Sequence, residues 1–144
     1  MDNDDGEYDF SRVMILIRGV PGSGKTTFAE WIMERTNWIS GGYPAQVCAD
    51  RFMVNDDGEY EFNPTLLEVA HKACFAMTEQ YLKDDRSPVI VHNTFTRDWE
   101  MEPYRALAEC YGAQLFVIEM SQQFENVHDV PEEVVNQMKE RFER

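Results

Sequence analysis

The sequence predicts an α/β fold: a short parallel sheet of about four strands with helices on both faces. Two observations predict it. Strand-like apolar runs alternate with helical patterns along the chain, as in parallel sheets covered by helices. The loop Gly19-Val20-Pro21-Gly22-Ser23-Gly24-Lys25-Thr26 stands between the first such run and the first such helix. It fills the template G-x-x-x-x-G-K-[ST], whose required context is strand, glycine loop, helix.

Each element has its own signal. Val13-Met14-Ile15-Leu16-Ile17 opens a first strand over 13–18, a short apolar run of the kind buried in parallel sheets. Thr27-Phe28-Ala29-Glu30-Trp31-Ile32-Met33 repeats apolar residues at helical spacing and predicts a helix near 25–35. The loop from Thr36 to Pro44 carries Gly41-Gly42 and leads into a second strand, 45–49, that ends on Asp50. After a turn at Asp57-Gly58, Asn63 as cap and Pro64 at the first helical position open a second helix. It places Leu66, Leu67, Ala70, Cys74, Met77 and Tyr81 on one side. Val89-Ile90-Val91 is the third strand, and a third helix from about Asp98 to Tyr111 stops at Gly112. Leu115-Phe116-Val117-Ile118 is the fourth strand. Pro131-Glu132-Glu133 begins a fourth helix, acidic where the helix dipole favours it, that runs nearly to Arg144.

The glycine loop carries the chemistry. Glycines let backbone N–H groups turn toward phosphate oxygens, and the helix start adds partial positive charge. Gly22, Ser23, Gly24, Lys25, Thr26 and Thr27 are the candidate ATP-binding residues, with Lys25 on the β- and γ-phosphates and the Thr26 hydroxyl on Mg²⁺. Sites in such sheets lie at the carboxyl ends of the strands. Three ends then converge: the phosphate loop, Asp50, and Asn93-Thr94. Asp50 is the candidate general base for an acceptor hydroxyl, or a metal holder through water. Asn93 is neutral, so it adds hydrogen bonds to water or acceptor but no charge. His92 points away from Asn93 by strand alternation and reads as a buried structural histidine.

Phosphoryl transfer calls for a cation over the transferred group. From Ala106 through Met138 there is no Lys or Arg, and His128 is the one residue there able to carry positive charge. Arg18, Arg51, Arg97 and Arg141 are the candidates from elsewhere. Phe52, Phe95, Trp99 and Tyr104 are either a stacking shelf for a base or ordinary core.

Composition bounds the rest. At 144 residues and 43% hydrophobic, the chain reads as one globular domain over 12–144 behind an acidic tail over 1–11. No apolar run reaches membrane-spanning length, and the acidic start is unlike a signal peptide. Cys48, Cys74 and Cys110 are odd in number and far apart, which fits reduced thiols in a cytoplasm. The net charge of −14 is concentrated: residues 3–10 (NDDGEYDF) and 55–62 (NDDGEYEF) are near-copies rich in carboxylates. The echo suggests a tail that pairs beside the internal loop or competes for its place. The acidity argues against a broad nucleic-acid surface without excluding a narrow channel.

A wider set of residues resembles a family. Gly19 to Thr27, Asp50-Arg51-Phe52, Tyr60-Glu61-Phe62-Asn63-Pro64 with Ala70-His71, Asn93-Thr94, Trp99-Glu100 and Pro103-Tyr104 together look like the polynucleotide 5′-kinase-type P-loop kinases. The small bacteriophage and bacterial members are the nearest in pattern. Phe124, Asn126, His128, Val130-Pro131 and Met138-x-x-Arg141-Phe142-Glu143 extend the likeness over nearly all of 12–144. It implies a P-loop kinase-like three-layer sandwich, ATP and Mg²⁺, and transfer of the γ-phosphate to a hydroxyl, typically the 5′-hydroxyl of a nucleic acid. By that likeness Lys25, Asp50 and His128 are catalytic. Asp50, Arg51, His71, Asn93, Thr94 and Arg97 form the acceptor side. Location follows as cytoplasmic, the host cytoplasm if the source is viral. Three positions depart from the family: Met53 replaces an arginine three residues past the base, Asn93 replaces an aspartate, and no lid arginine occurs in Ser121 to Val130. Two rival readings are a nucleoside or small-molecule kinase and a nucleotide-binding regulatory module with little turnover.

Overall fold

The computed structural model describes residues 12–36, 43–121 and 130–143. Four strands, β1 (Val13–Arg18), β2 (Ala45–Val47), β3 (Val89–Asn93) and β4 (Gln114–Glu119), form one sheet in the order β2-β3-β1-β4. Every pairing is parallel, with Leu16 beside Val91 on one side and Val117 on the other. The helices are α1 (Lys25–Thr36), α2 (Leu67–Lys83), α3 (Asp98–Cys110) and α4 (Glu132–Arg141). Parallel strands need such crossovers, and the two apolar faces they leave must both be covered.

Each face has its own core. Met14, Leu16, Val47, Val89 and Val91 pack with residues of α2 and α3, among them Cys74, Leu82, Met101 and Tyr104. On the other face Ile17 and Ile90 meet Ala29 and Ile32 of α1. Alternation along β1 and β3 thus sends neighbouring residues to opposite layers. All five residues of β3 are buried, which explains its unbroken apolar start.

Several boundaries differ from those the sequence suggests. The second strand stops at Val47, because Ala49–Phe52 winds into a 3₁₀ turn and carries Asp50 on it. The second helix begins as a 3₁₀ turn, Pro64–Leu66, before α2 proper. Asn63 caps that turn, its Oδ1 accepting from Thr65 N at 3.0 Å. The buried stripe of α2 is Ala70, Cys74, Thr78 and Leu82; Leu66 is exposed, and Met77 and Tyr81 are half-buried at its flank. Thr78 joins the core because its hydroxyl donates to the Cys74 carbonyl at 2.8 Å, satisfying it inside the helix.

The internal acidic repeat forms a hairpin. Val54 pairs antiparallel with Tyr60, and Asn55 Oδ1 accepts from the Asp57 and Glu59 amides at 3.0 Å each. Asp56, Asp57 and Glu59 are left exposed. Its echo at residues 3–10 lies outside the described residues, as do the acidic tail as a whole and His128.

Candidate functional site

Everything at the carboxyl edge of the sheet follows from strand order. From one side to the other come the Asp50 turn after β2, Asn93-Thr94 after β3, the glycine loop after β1, and Met120 after β4. A cleft of about 620 Å³ runs along this edge and is lined by residues from all four positions. That size suits a nucleotide-scale ligand.

The loop is built to hold phosphate. Gly22 and Gly24 have φ of 84° and 90°, left-handed backbone that other residues resist. At Gly19 an added Cβ would collide with Ser23 Oγ and stand 2.8 Å from the Met120 carbonyl oxygen. The loop is tied down from below by Gly19 N donating to the Thr94 carbonyl at 3.2 Å. Ser23 is buried and its Oγ has no hydrogen-bond partner among the described residues. That hydroxyl lies against Gly19, and Ser23 is not part of the cleft lining, so Gly22, Gly24 and the amides at the start of α1 are what the loop offers a phosphate.

Lys25 bends back over this loop, donating Nζ to the Gly19 and Val20 carbonyls at 2.8 and 3.0 Å. Burial lowers its pKa to about 8, against the opposing pull of Asp50 and then Cys48. The lysine therefore sits as a desolvated cation awaiting stronger negative charge. Thr26 and Thr27 are exposed at the start of α1 and line the cleft. Thr26 is the residue that would hold Mg²⁺ there, its hydroxyl supplying one hard oxygen ligand beside phosphate oxygens.

Asp50 lines the same cleft from its 3₁₀ turn. Asn93 fixes that turn: its Oδ1 accepts from the Ala49 amide at 2.8 Å, and its Nδ2 faces Cys74 Sγ at 3.5 Å. So Asn93 borders the cleft yet its amide braces Asp50 from below, a different use from the water or acceptor contact its strand-end position suggests. Burial and then Asp50 push the Cys48 thiol up to about 11, so it stays neutral. His71 lines the cleft from α2. Burial lowers its pKa, with Glu100 and Asp50 pulling the other way. His92 also reaches the cleft, its Nε2 3.1 Å from Gln46 Oε1.

The four arginine candidates separate clearly. Arg18 is buried; its Nε and Nη2 donate to the Phe95 carbonyl at 3.0 and 2.7 Å, and its guanidinium lies 4.3 Å over the Phe142 ring. That fork holds Phe95 at φ 45°, rare for a residue with a side chain. Arg51 is turned to the Tyr81 hydroxyl and the Gln46 carbonyl, and Arg97 pairs with Glu143 at 3.9 Å. Neither Arg51 nor Arg97 lines the cleft. Arg141 does line it, Nε donating to Thr96 Oγ1 at 3.0 Å. Lys25 and Arg141 are thus the two lysine or arginine side chains on the cleft wall among the described residues.

The aromatic shelf does not form where the sequence allows one. Phe95 and Tyr104 pack edge-to-face at 5.4 Å in the core, Phe52 packs against that core, and Trp99 is 71% exposed away from the cleft. The aromatic wall is instead Phe28, Trp31 and Phe62. Phe28 and Trp31 read as ordinary members of a helical stripe, and nothing in their spacing marks them as cleft residues. Glu100, Met120, Val130 and Met138 complete the lining from turns and helix ends that local pattern does not bring together.

A comparison with protein families matches residues 14–123 to an AAA domain. Human NEDD4-binding protein 2 is 29% identical over 92% of this chain, which spans only 8% of that protein. Among solved structures, the Pnkp1/Rnl/Hen1 RNA repair complex is similar at a TM-score of 0.60 and 20% identity, over 96% of this chain and 40% of that one. The Mycobacterium tuberculosis APS kinase CysC in complex with AMPPNP and APS is similar at 0.57 and 14%, over 88% and 68%. Both likenesses are of fold, and the family match spans most of the chain. The protein belongs to the AAA domain family and has a P-loop kinase-like fold.

Proposed function

We propose that the protein is an ATP- and Mg²⁺-dependent kinase that transfers the γ-phosphoryl group to a hydroxyl. One observation carries this reading: Asp50 and the glycine loop with Lys25 share a single cleft, close enough for Asp50 to raise the lysine's proton affinity. A bare nucleotide clamp needs the loop but no carboxylate opposite it. In the proposed step Asp50 takes the proton as the acceptor oxygen bonds to the γ-phosphorus. The bond from that phosphorus to the β-bridging oxygen breaks, and ADP leaves. Lys25 and the loop amides hold the phosphates, and Thr26 would hold Mg²⁺, which would supply charge neutralisation there. We assign the covering role to Arg141, supported by its place on the cleft wall; His128 keeps its sequence-based candidacy.

For the acceptor we favour the 5′-hydroxyl of a nucleic acid or a related nucleotide or modified base. Its support is the distributed motif set shared with polynucleotide 5′-kinases, the small phage and bacterial branch included. The likeness to a protein of an RNA repair complex adds to it. One observation favours a nucleoside or other small hydroxyl compound instead. The acceptor side holds Asp50, Glu100 and His71, and Met53, where those kinases carry arginine, is fully buried. A cytoplasmic setting is supported by three free cysteines and by the lack, among the described residues, of a helix able to cross a membrane.

The test is transfer of label from γ-labelled ATP with Mg²⁺ to 5′-hydroxyl oligonucleotides, to nucleosides, or to nothing added. Label on the oligonucleotide selects the first acceptor, and label on the nucleoside selects the second. Tight ATP binding with no transfer to any acceptor would refute the kinase reading and leave a nucleotide-binding regulatory module.

A further inference from the structure

The turn after β3 and the end of α4 meet at one buried residue, Thr96, which is 1% exposed. Arg141 donates Nε to its hydroxyl at 3.0 Å, and the Glu143 amide donates to its carbonyl at 2.7 Å. The same hydroxyl lies 3.0 Å from Glu100 Oε1, which also accepts from the Arg97 amide at 2.8 Å. Chemistry fixes the polarity of this chain. A guanidinium nitrogen only donates and a carboxylate only accepts, so the Thr96 hydrogen points to Glu100 and a lone pair to Arg141. A hydroxyl polarised by a carboxylate is the stronger acceptor. The turn is itself held: the Arg18 fork on the Phe95 carbonyl secures the left-handed step, φ 45°, that precedes Thr96. Such a step persists where the surroundings over-determine it.

We infer that Thr96 is the positioning residue for Arg141. This rests on the kinase reading, in which Arg141 covers the transferred phosphoryl group. Tethered through Nε, the guanidinium keeps both Nη nitrogens for a ligand; neither bonds another of the described residues. Those two nitrogens are the fork that meets two phosphate oxygens at once. An untethered arginine on an exposed helix end spreads over many rotamers. Thr96 removes that freedom before ATP arrives, so its contribution falls on the chemical step rather than on binding.

The first measurement is hydrogen exchange of the Arg141 Nε–H by nitrogen-edited NMR, assigned as the resonance missing in Arg141→Lys. In wild type it should exchange about tenfold or more slower than in free arginine; Thr96→Val should remove that protection and Thr96→Ser keep it. The second is label transfer from γ-labelled ATP. Thr96→Val should lower kcat about tenfold with KM for ATP within about twofold, and Thr96→Ser should recover most of the loss. Added to Arg141→Ala, Thr96→Val should cost less than about twofold more, because the two residues act as one unit. A wild-type Arg141 Nε–H that exchanges as fast as free arginine would overturn the assignment, whether or not the valine variant folds. So would Thr96→Val with unchanged kcat, or losses that multiply in the double variant. A protected Nε–H in a protein that phosphorylates no acceptor would sink the kinase reading and leave the tether standing.

Discussion

Replacing Lys25 with methionine should make the unliganded protein more stable while destroying its affinity for ATP. The lysine is a buried cation whose pKa falls from an ordinary 10.5 to about 8, mainly through desolvation. That gap corresponds to about 3 kcal/mol against the charged form in the fold. Lys25→Met removes this penalty but also the bonds to the Gly19 and Val20 carbonyls, together about 1–2 kcal/mol. The net expectation at pH 7 is a gain of about 1–2 kcal/mol, or about 3–6 °C in melting temperature. The folded pKa lies below the unfolded one, so between pH 8 and 10.5 the unfolded chain binds more protons. Wild-type stability therefore rises with pH in that window, and the advantage of the variant closes. Thermal melts of both proteins at pH 7, 9 and 10.5, with and without MgATP, read all of this. A variant less stable than wild type at pH 7, or a gap that does not narrow with pH, would refute the account of Lys25 as a desolvated charge. Wild-type ATP affinity should likewise weaken as pH passes above about 8, as the free lysine loses its proton.

Three further outcomes are expected. Asp50→Asn should lower transfer about 100- to 10,000-fold, the range of general acid–base catalysis, and calorimetry should find ATP affinity within about threefold of wild type; lost ATP binding would instead make Asp50 a metal holder. Asn93→Ala removes the acceptor of the Ala49 amide inside a buried corner, so denaturant titration should show a loss of about 1–3 kcal/mol. An unchanged midpoint would mean that the brace under Asp50 is dispensable. Arg141→Ala removes a hydrogen bond to buried Thr96, so stability should fall by about 1 kcal/mol while turnover falls about 100-fold or more. Full activity in that variant would hand the covering role to another residue.

The sheet was readable because its signals are local. A strand such as Val89–Asn93 is buried on both faces and announces itself as an apolar run. The glycine loop needs positive φ at Gly22 and Gly24 and so must be spelled with glycine. The Asp50 turn was harder. Ala45 to Ala49 reads as strand throughout, yet pairing stops at Val47, because Asn93 captures the Ala49 amide that a longer strand would have paired. That contact joins residues 44 positions apart, beyond any local pattern. The same holds for the cleft's far wall. Trp31 obeys helical spacing as a core residue would, yet it lines the cleft. Arg141 stands among several surface arginines in the sequence, and Thr96, 45 residues away, is what brings it to the cleft.

The hairpin built on Asn55 has an effect at a distance. Its tip shows water three carboxylates, and the chain leaving it reaches the cleft wall at Phe62. On the proposed nucleic-acid reading, an oligonucleotide arriving from that quarter would meet like charge and be slowed. Dissolved ions shorten the reach of that repulsion to about 10 Å at 0.1 M. Raising potassium chloride, which loosens most protein–nucleic acid complexes, should here quicken the first encounter.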